Sequence, residues 1–192
     1  MQHDFTEFWD VHFKGIAPAG YELRSQLPER WVRFHSLPNS RRYADDAHDY
    51  EILLKRANTL ASDCLGDGRE CWLAASWYDG AHRREKKRWK RDVQAPFDLQ
   101  PAFKWKLDPD DDEEPQRTVF AGSCAWQPGA YDNLITQIAD NTHSHIVLVS
   151  QSTGTIFAPY DGGTDLILPS SDAVDAFKGK YATWLSGHAE GL

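Results

Sequence analysis

Between His145 and Leu168 three apolar runs follow one another: His145-Ile-Val-Leu-Val-Ser150, Thr155-Ile-Phe-Ala158 and Thr164-Asp-Leu-Ile-Leu168. Only Ser152-Thr-Gly154 and Tyr160-Asp-Gly-Gly163 separate them. Glycine and Asp-Gly at those joints supply the positive-φ conformations that tight hairpin turns need. Connections this short join antiparallel neighbours, because a parallel pair needs a crossover of about a dozen residues or more. The chain is thereby constrained to a sheet built from hairpins.

Further strands are predicted at Trp31-Val-Arg-Phe-His35, between Pro28 and Pro38, at Cys71 to Trp77 after the Asp67-Gly68 turn, at Phe103 to Leu107 and at Arg117 to Trp126. Helices alternate with them. Phe5, Phe8, Trp9, His12 and Phe13 recur at helical spacing before Gly15, and Gly15 to Gly20 reads as a loop. From an N-cap at Asp45 or Asp46, positions Tyr50, Leu53, Leu54, Ala57, Leu60, Ala61 and Cys64 form one apolar stripe that Gly66 ends. Tyr131 to Asp140 is a short helix. Ser170 or Ser171 caps a last one that buries Val174, Phe177, Tyr181, Trp184 and Leu185. The class is α+β: a mostly antiparallel sheet with helices packed on it, in a single domain over residues 1–192.

Residues 82 to 91 hold seven of the 21 basic residues and 108 to 114 six of the 29 acidic ones, so the region from about 80 to 116 reads as a charged, exposed excursion. The formal charge of -8 disfavours non-specific attachment to nucleic acid or anionic lipid. Cys64, Cys71 and Cys124 are an odd number with no C-x-x-C spacing, which fits a reducing compartment. With no signal-peptide pattern at the first residues and no run of about 18 apolar residues, a cytoplasmic protein is expected.

Two stretches carry a resemblance: Arg30-Trp-Val-Arg-Phe-His-Ser-Leu-Pro-Asn-Ser-Arg-Arg-Tyr-Ala44, and Phe157-Ala-Pro-Tyr-Asp-Gly-Gly-Thr-Asp-Leu-Ile-Leu168 followed by Tyr181-x-x-Trp184. They resemble a family of short bacterial proteins of unknown function in which a Tyr-Asp-x-x-Gly-x-Asp turn precedes a terminal helix with Tyr-x-x-Trp. The resemblance implies a stand-alone bacterial domain and brings no activity with it.

Arg33, His35, Ser36, Arg41, Arg42 and Tyr43 gather cations, a hydroxyl and an imidazole between a strand and a helix start, where a phosphate or carboxylate can be held. The plainer alternative is that Arg33 and His35 face solvent and that Arg41 and Arg42 pair with Asp45, Asp46 or Asp49. Tyr160, Asp161 and Asp165 are a second group, able to bind a cation, to act as general base or simply to build a turn. If either aspartate meets Arg33 or His35, the two groups make one site. His143 and His145 would share one face of a strand, but a third ligand is missing, so no metal is expected. No cofactor-binding loop or hydrolase motif occurs.

Without a catalytic signature and with eight tryptophans, the leading expectation is a non-enzymatic protein-binding domain, in a sharper version an immunity-like protein that neutralises a partner toxin. Trp89 and Trp105 are its expected partner contacts. The alternative is an enzyme or small-ligand-binding protein acting on an anionic molecule at the arginine and aspartate groups. A third reading is nucleic-acid binding through residues 83 to 91.

Overall fold

The computed structural model describes residues 4–106 and 116–185. Seven strands are β1 (Trp31–His35), β2 (Glu70–Tyr78), β3 (Gln100–Trp105), β4 (Arg117–Ala125), β5 (Ile146–Ser150), β6 (Ile156–Tyr160) and β7 (Gly163–Ile167). They form one sheet in the order β1-β7-β6-β5-β2-β4-β3, every neighbour antiparallel. The hairpins at Gly154 and at Asp161-Gly162 set β5, β6 and β7 side by side. Gly154 holds φ at +67°.

Six helices cover the sheet: α1 (Phe5–Phe13), α2 (Gly20–Gln26), α3 (Ala47–Leu65), α4 (Arg83–Trp89), α5 (Asp132–Ala139) and α6 (Ser171–Lys180). Strand alternation splits the core between two faces. Val32, Phe34, Leu73, Leu148, Phe157 and Leu166 meet α3, α5 and α6 on one face. Trp72, Ala74, Val147, Val149, Ile156 and Ile167 meet α1 and α2 on the other. The sheet is therefore the middle layer of three. Asp46 caps α3 by accepting the Asp49 amide at 3.0 Å, and Ser170 caps α6 by accepting that of Ala173 at 3.3 Å. After α6, Tyr181 packs on Phe34, and Leu185 bridges to Phe34 on the outer side of β1.

Two regions differ from the sequence expectation. Residues 20–26, of which only Gly20 falls in the expected loop and the rest carry no assignment, form α2, which has no side-chain cap and buries only Leu23. A helix this short offers too few turns for an apolar stripe to be seen.

Among the described residues, the region from 80 to 106 is largely exposed yet regular, forming α4, a wider turn and β3. α4 continues into a wider turn at Lys90–Gln94. Its basic side chains face solvent, whereas Trp89, 4% exposed, and Val93 enter the core beneath them. Trp89 packs at a tilt 5.1 Å from Trp77 and meets Phe120 edge-on at 5.0 Å. Two apolar residues four positions apart anchor a helix whose other positions are charged, and a charge count hides them. Trp89 is thus a core residue, which removes it as a partner contact. β3 is an edge strand, interrupted by Pro101 and a bulge before Phe103, features that discourage pairing with another sheet. The acidic run Asp108 to Glu114 lies outside the described residues.

Candidate functional site

In β1, Val32 and Phe34 point into the α3 face, so Trp31, Arg33 and His35 stand on the α2 face. The β1–β7 register sets Arg33 opposite Asp165. The Asp165 carboxylate accepts Nε and Nη2 of Arg33 at 2.7 and 2.9 Å and Nε1 of Trp31 at 2.9 Å. The guanidinium lies over the Tyr160 ring, 4.4 Å from its centroid. Burial works against the Arg33 charge, but the hydrogen bonds and charge of Asp165 outweigh it and hold its pKa above the usual value. Burial pushes the Tyr160 hydroxyl up to about 12.

The second pair forms at the β6–β7 turn. Asp161 accepts Nε and Nη2 of Arg42 at 3.0 and 2.9 Å and the Tyr43 hydroxyl at 3.1 Å. Ahead of these residues Asn39 and Ser40 adopt positive φ, 58° and 55°, and reverse the chain. Ser36 is buried and donates its amide to the Gly162 carbonyl at 3.2 Å. His35 is half-buried; burial first, then the Arg33 charge, lowers its pKa.

The arginine and aspartate groups of the sequence therefore converge, joined by Arg33–Asp165 and by Arg42 and Tyr43 with Asp161. Arg41 does not take part. It turns to Asp45 and Asp49, with Nη1 to Asp45 at 3.1 Å, and braces the start of α3 as the plainer alternative has it. Arg42, assigned to the same acids in that alternative, pairs with Asp161.

Where β1 and β6 end and β5 and β7 begin, a cleft of about 240 Å³ opens between α2 and the Asn141–His145 loop. Its walls include Tyr21, Arg24, Arg33, Tyr160, Asp165 and His145. α2 lies close on the sheet at Gly20, where a Cβ would sit 3.4 Å from that of Ala158 and 3.6 Å from Asp165 Oδ2. Arg24 lies over Trp31 at 5.7 Å and makes no ion pair among the described residues. Arg24 and Tyr21 escaped the sequence reading because α2 did. The Leu23 and Leu27 spacing before Pro28 was the available signal.

His143 and His145 do not lie on a strand and do not face the same way. β5 begins one residue later, and His145 has φ +57°. His143 Nε2 lies 3.6 Å from Asp92, while His145 meets the Tyr21 ring edge-on at 5.6 Å. Burial, and after it the Arg117 charge, pushes His145 down to about 4. Among the described residues no group of three or more His, Cys, Asp and Glu is placed to hold a metal ion. No helix there is long and apolar enough to cross a membrane. Trp105 is half-buried on β3, with the Arg117 guanidinium 5.6 Å over its ring.

No curated protein and no solved structure matches the chain. A match to a domain of unknown function, DUF3885, runs over residues 19–189, from the residue before α2 to beyond α6. It takes in every strand of the sheet and both ion pairs, and the chain belongs to that family.

Proposed function

We propose that this domain binds a small molecule with an apolar or aromatic body and one carboxylate, in the cleft beside α2. The observation that carries the reading is the pairing of Arg24 with Arg33 in one cleft between the rings of Tyr21 and Tyr160. Asp165 balances the Arg33 charge, so Arg24 supplies the excess positive charge. Ala158, Pro159, Ile138 and Ile146 line the remaining wall and suit an apolar body.

Binding rather than turnover is favoured. Asp165 and Asp161 each accept three hydrogen bonds, two from an arginine. Both carboxylates are engaged by arginine forks within the fold and so serve as structural anchors. Calorimetric titration with benzoate and phenylacetate tests the reading. Saturable binding that falls at least tenfold in Arg24→Gln and in Tyr21→Ala supports it. No heat with either probe, or unchanged affinity in both variants, overturns it.

A second reading is a protein-binding domain of the immunity-like kind. Tyr43, 53% exposed, stands beside the exposed Arg42 on the site's rim, and both are residue types that dominate interface hot spots. Co-purification of one specific partner, lost in Tyr43→Ala, supports this reading. A clean monomer that captures nothing from a lysate of its native cell counts against it.

A further inference from the structure

A second cleft, of about 310 Å³, opens on the other side of the Asn141–His145 loop, between that loop, α4 and the ends of β2 and β4. Of its cations, Arg88 belongs to the basic run 83 to 91, whereas Arg117 stands in no candidate group. Arg88 projects from α4 and Arg117 from the start of β4. The Arg117 guanidinium lies over two rings, 5.6 Å from that of Trp105 and 6.0 Å from that of Tyr78, so its orientation is set before any ligand arrives. Arg88 lies close enough to His143, and Arg117 to His145, for each charge to act on that imidazole.

The inner wall carries the more telling observation. Ser76, Trp77, Trp89 and His143 line this cleft, and each is less than a tenth exposed. Three of them also hold a buried polar atom with no hydrogen-bond partner among the described residues, Ser76 Oγ, Trp77 Nε1 and Trp89 Nε1, while His143 Nε2 faces Asp92 at 3.6 Å. Three such atoms thus belong to residues around one cavity. Buried polar groups are paired in the great majority of folded proteins, so a cluster of unpaired ones marks a place where a ligand completes the set. An indole nitrogen only donates, and a serine hydroxyl can do so. The one carboxylate in the lining, that of Glu85, is turned to the His82 amide at 3.2 Å as part of the α4 cap.

From this convergence we propose that the cleft between α4 and the Asn141–His145 loop is a binding site for a phosphoryl group, with Arg88 and Arg117 as its charge clamp. Two guanidiniums, two indoles and a hydroxyl provide more donors, from more directions, than a planar carboxylate has oxygens to meet. A phosphoryl group presents three acceptor oxygens in a tetrahedral arrangement and takes arginine forks in bidentate fashion. The site is separate in its cations from the cleft beside α2, where Arg24 and Arg33 stand, and shares with it only the loop between them.

Titration of the whole chain with inorganic pyrophosphate, followed by the indole N–H signals in proton–nitrogen correlation spectra, tests the proposal. Trp77→Phe and Trp89→Phe variants identify the two signals. Both are expected to move saturably, and sodium acetate at matched ionic strength is expected to leave them in place. Arg88→Gln and Arg117→Gln are each expected to weaken pyrophosphate binding at least tenfold with the thermal midpoint of unfolding unchanged, while Arg24→Gln leaves it as in the parent chain. Indole signals that stay fixed overturn the proposal, as does affinity unchanged in both arginine variants. Equal shifts with acetate overturn the phosphoryl assignment.

Discussion

Arg33 and Asp165 face each other across the β1–β7 ladder and share two hydrogen bonds of 2.7 and 2.9 Å, with both side chains largely out of solvent. Removing one partner leaves the other charge buried and unmatched. Asp165→Asn is therefore expected to destabilise the fold by about 3 kcal/mol. Arg42→Gln, which breaks the exposed pair with Asp161, is expected to cost less than about 1 kcal/mol. Equilibrium urea unfolding of the two variants side by side checks the difference, and equal losses would contradict it.

Gly163 closes the same ladder from the other end. A Cβ there would lie 2.2 Å from the Phe34 carbonyl oxygen and 3.0 Å from the Tyr160 hydroxyl. The obstacle is backbone and cannot step aside. Gly163→Ala is expected to destabilise by at least about 1–3 kcal/mol, the range for forced overpacking. The drop in thermal midpoint measures it, and an unchanged midpoint would mean that β1 and β7 are spaced more widely than described.

Acid is expected to weaken the fold through His145. Its folded-state pKa of about 4 lies below the ordinary value of 6.5, so the unfolded chain binds the proton more readily. The contribution is complete above pH 6.5 and is lost as pH falls towards 4. His143 and His35, also lowered mainly by burial, act in the same direction. His145→Asn keeps a side chain that tolerates the positive φ, and it should flatten the dependence of the urea midpoint on pH between 7 and 4. A slope equal to that of the parent would refute the assignment.

The cysteines are expected to be silent in the native protein. Burial pushes the Cys64 and Cys71 thiols up to about 12 and raises that of Cys124. With almost no thiolate at pH 8, an aromatic disulfide reagent should label all three slowly in the folded chain and at once in denaturant. The linked effect on stability has the opposite sense to that of His145. The unfolded thiols ionise near pH 9 while the folded ones keep their protons, so stability falls as pH rises from about 9 to about 12. Rapid native labelling of Cys64 or Cys71 would show an opening that the packing does not provide, whereas Cys124 is half-buried.

The hairpins, α1 and α3 are legible in sequence because each repeats a simple period over enough residues, whereas the last helix stops at Lys180, so that Tyr181, Trp184 and Leu185 of its expected stripe follow it and only Val174 and Tyr181 are buried. What lies beyond reach has physical reasons. α2 has a single buried side chain, Leu23, and no cap. Trp89 is an apolar anchor inside a basic run, and the run masked it. The order of the strands is set by contacts between distant segments, which no local pattern encodes. The arginine and aspartate groups were visible as two separate motifs. Their union at Arg33–Asp165 needed the β1–β7 register, and the split between Arg41 and Arg42 needed the turn at Asn39 and Ser40.

β1 finds its ladder partner 132 positions further along the chain. As the polypeptide leaves the ribosome, Arg33 emerges early and waits, unpaired, until the β6–β7 hairpin follows. Contacts of such long sequence separation form slowly. Biosynthesis therefore completes the arginine and aspartate cluster only with the last hairpin, and a product terminated before Asp165 would carry the cation without the anion that restrains it.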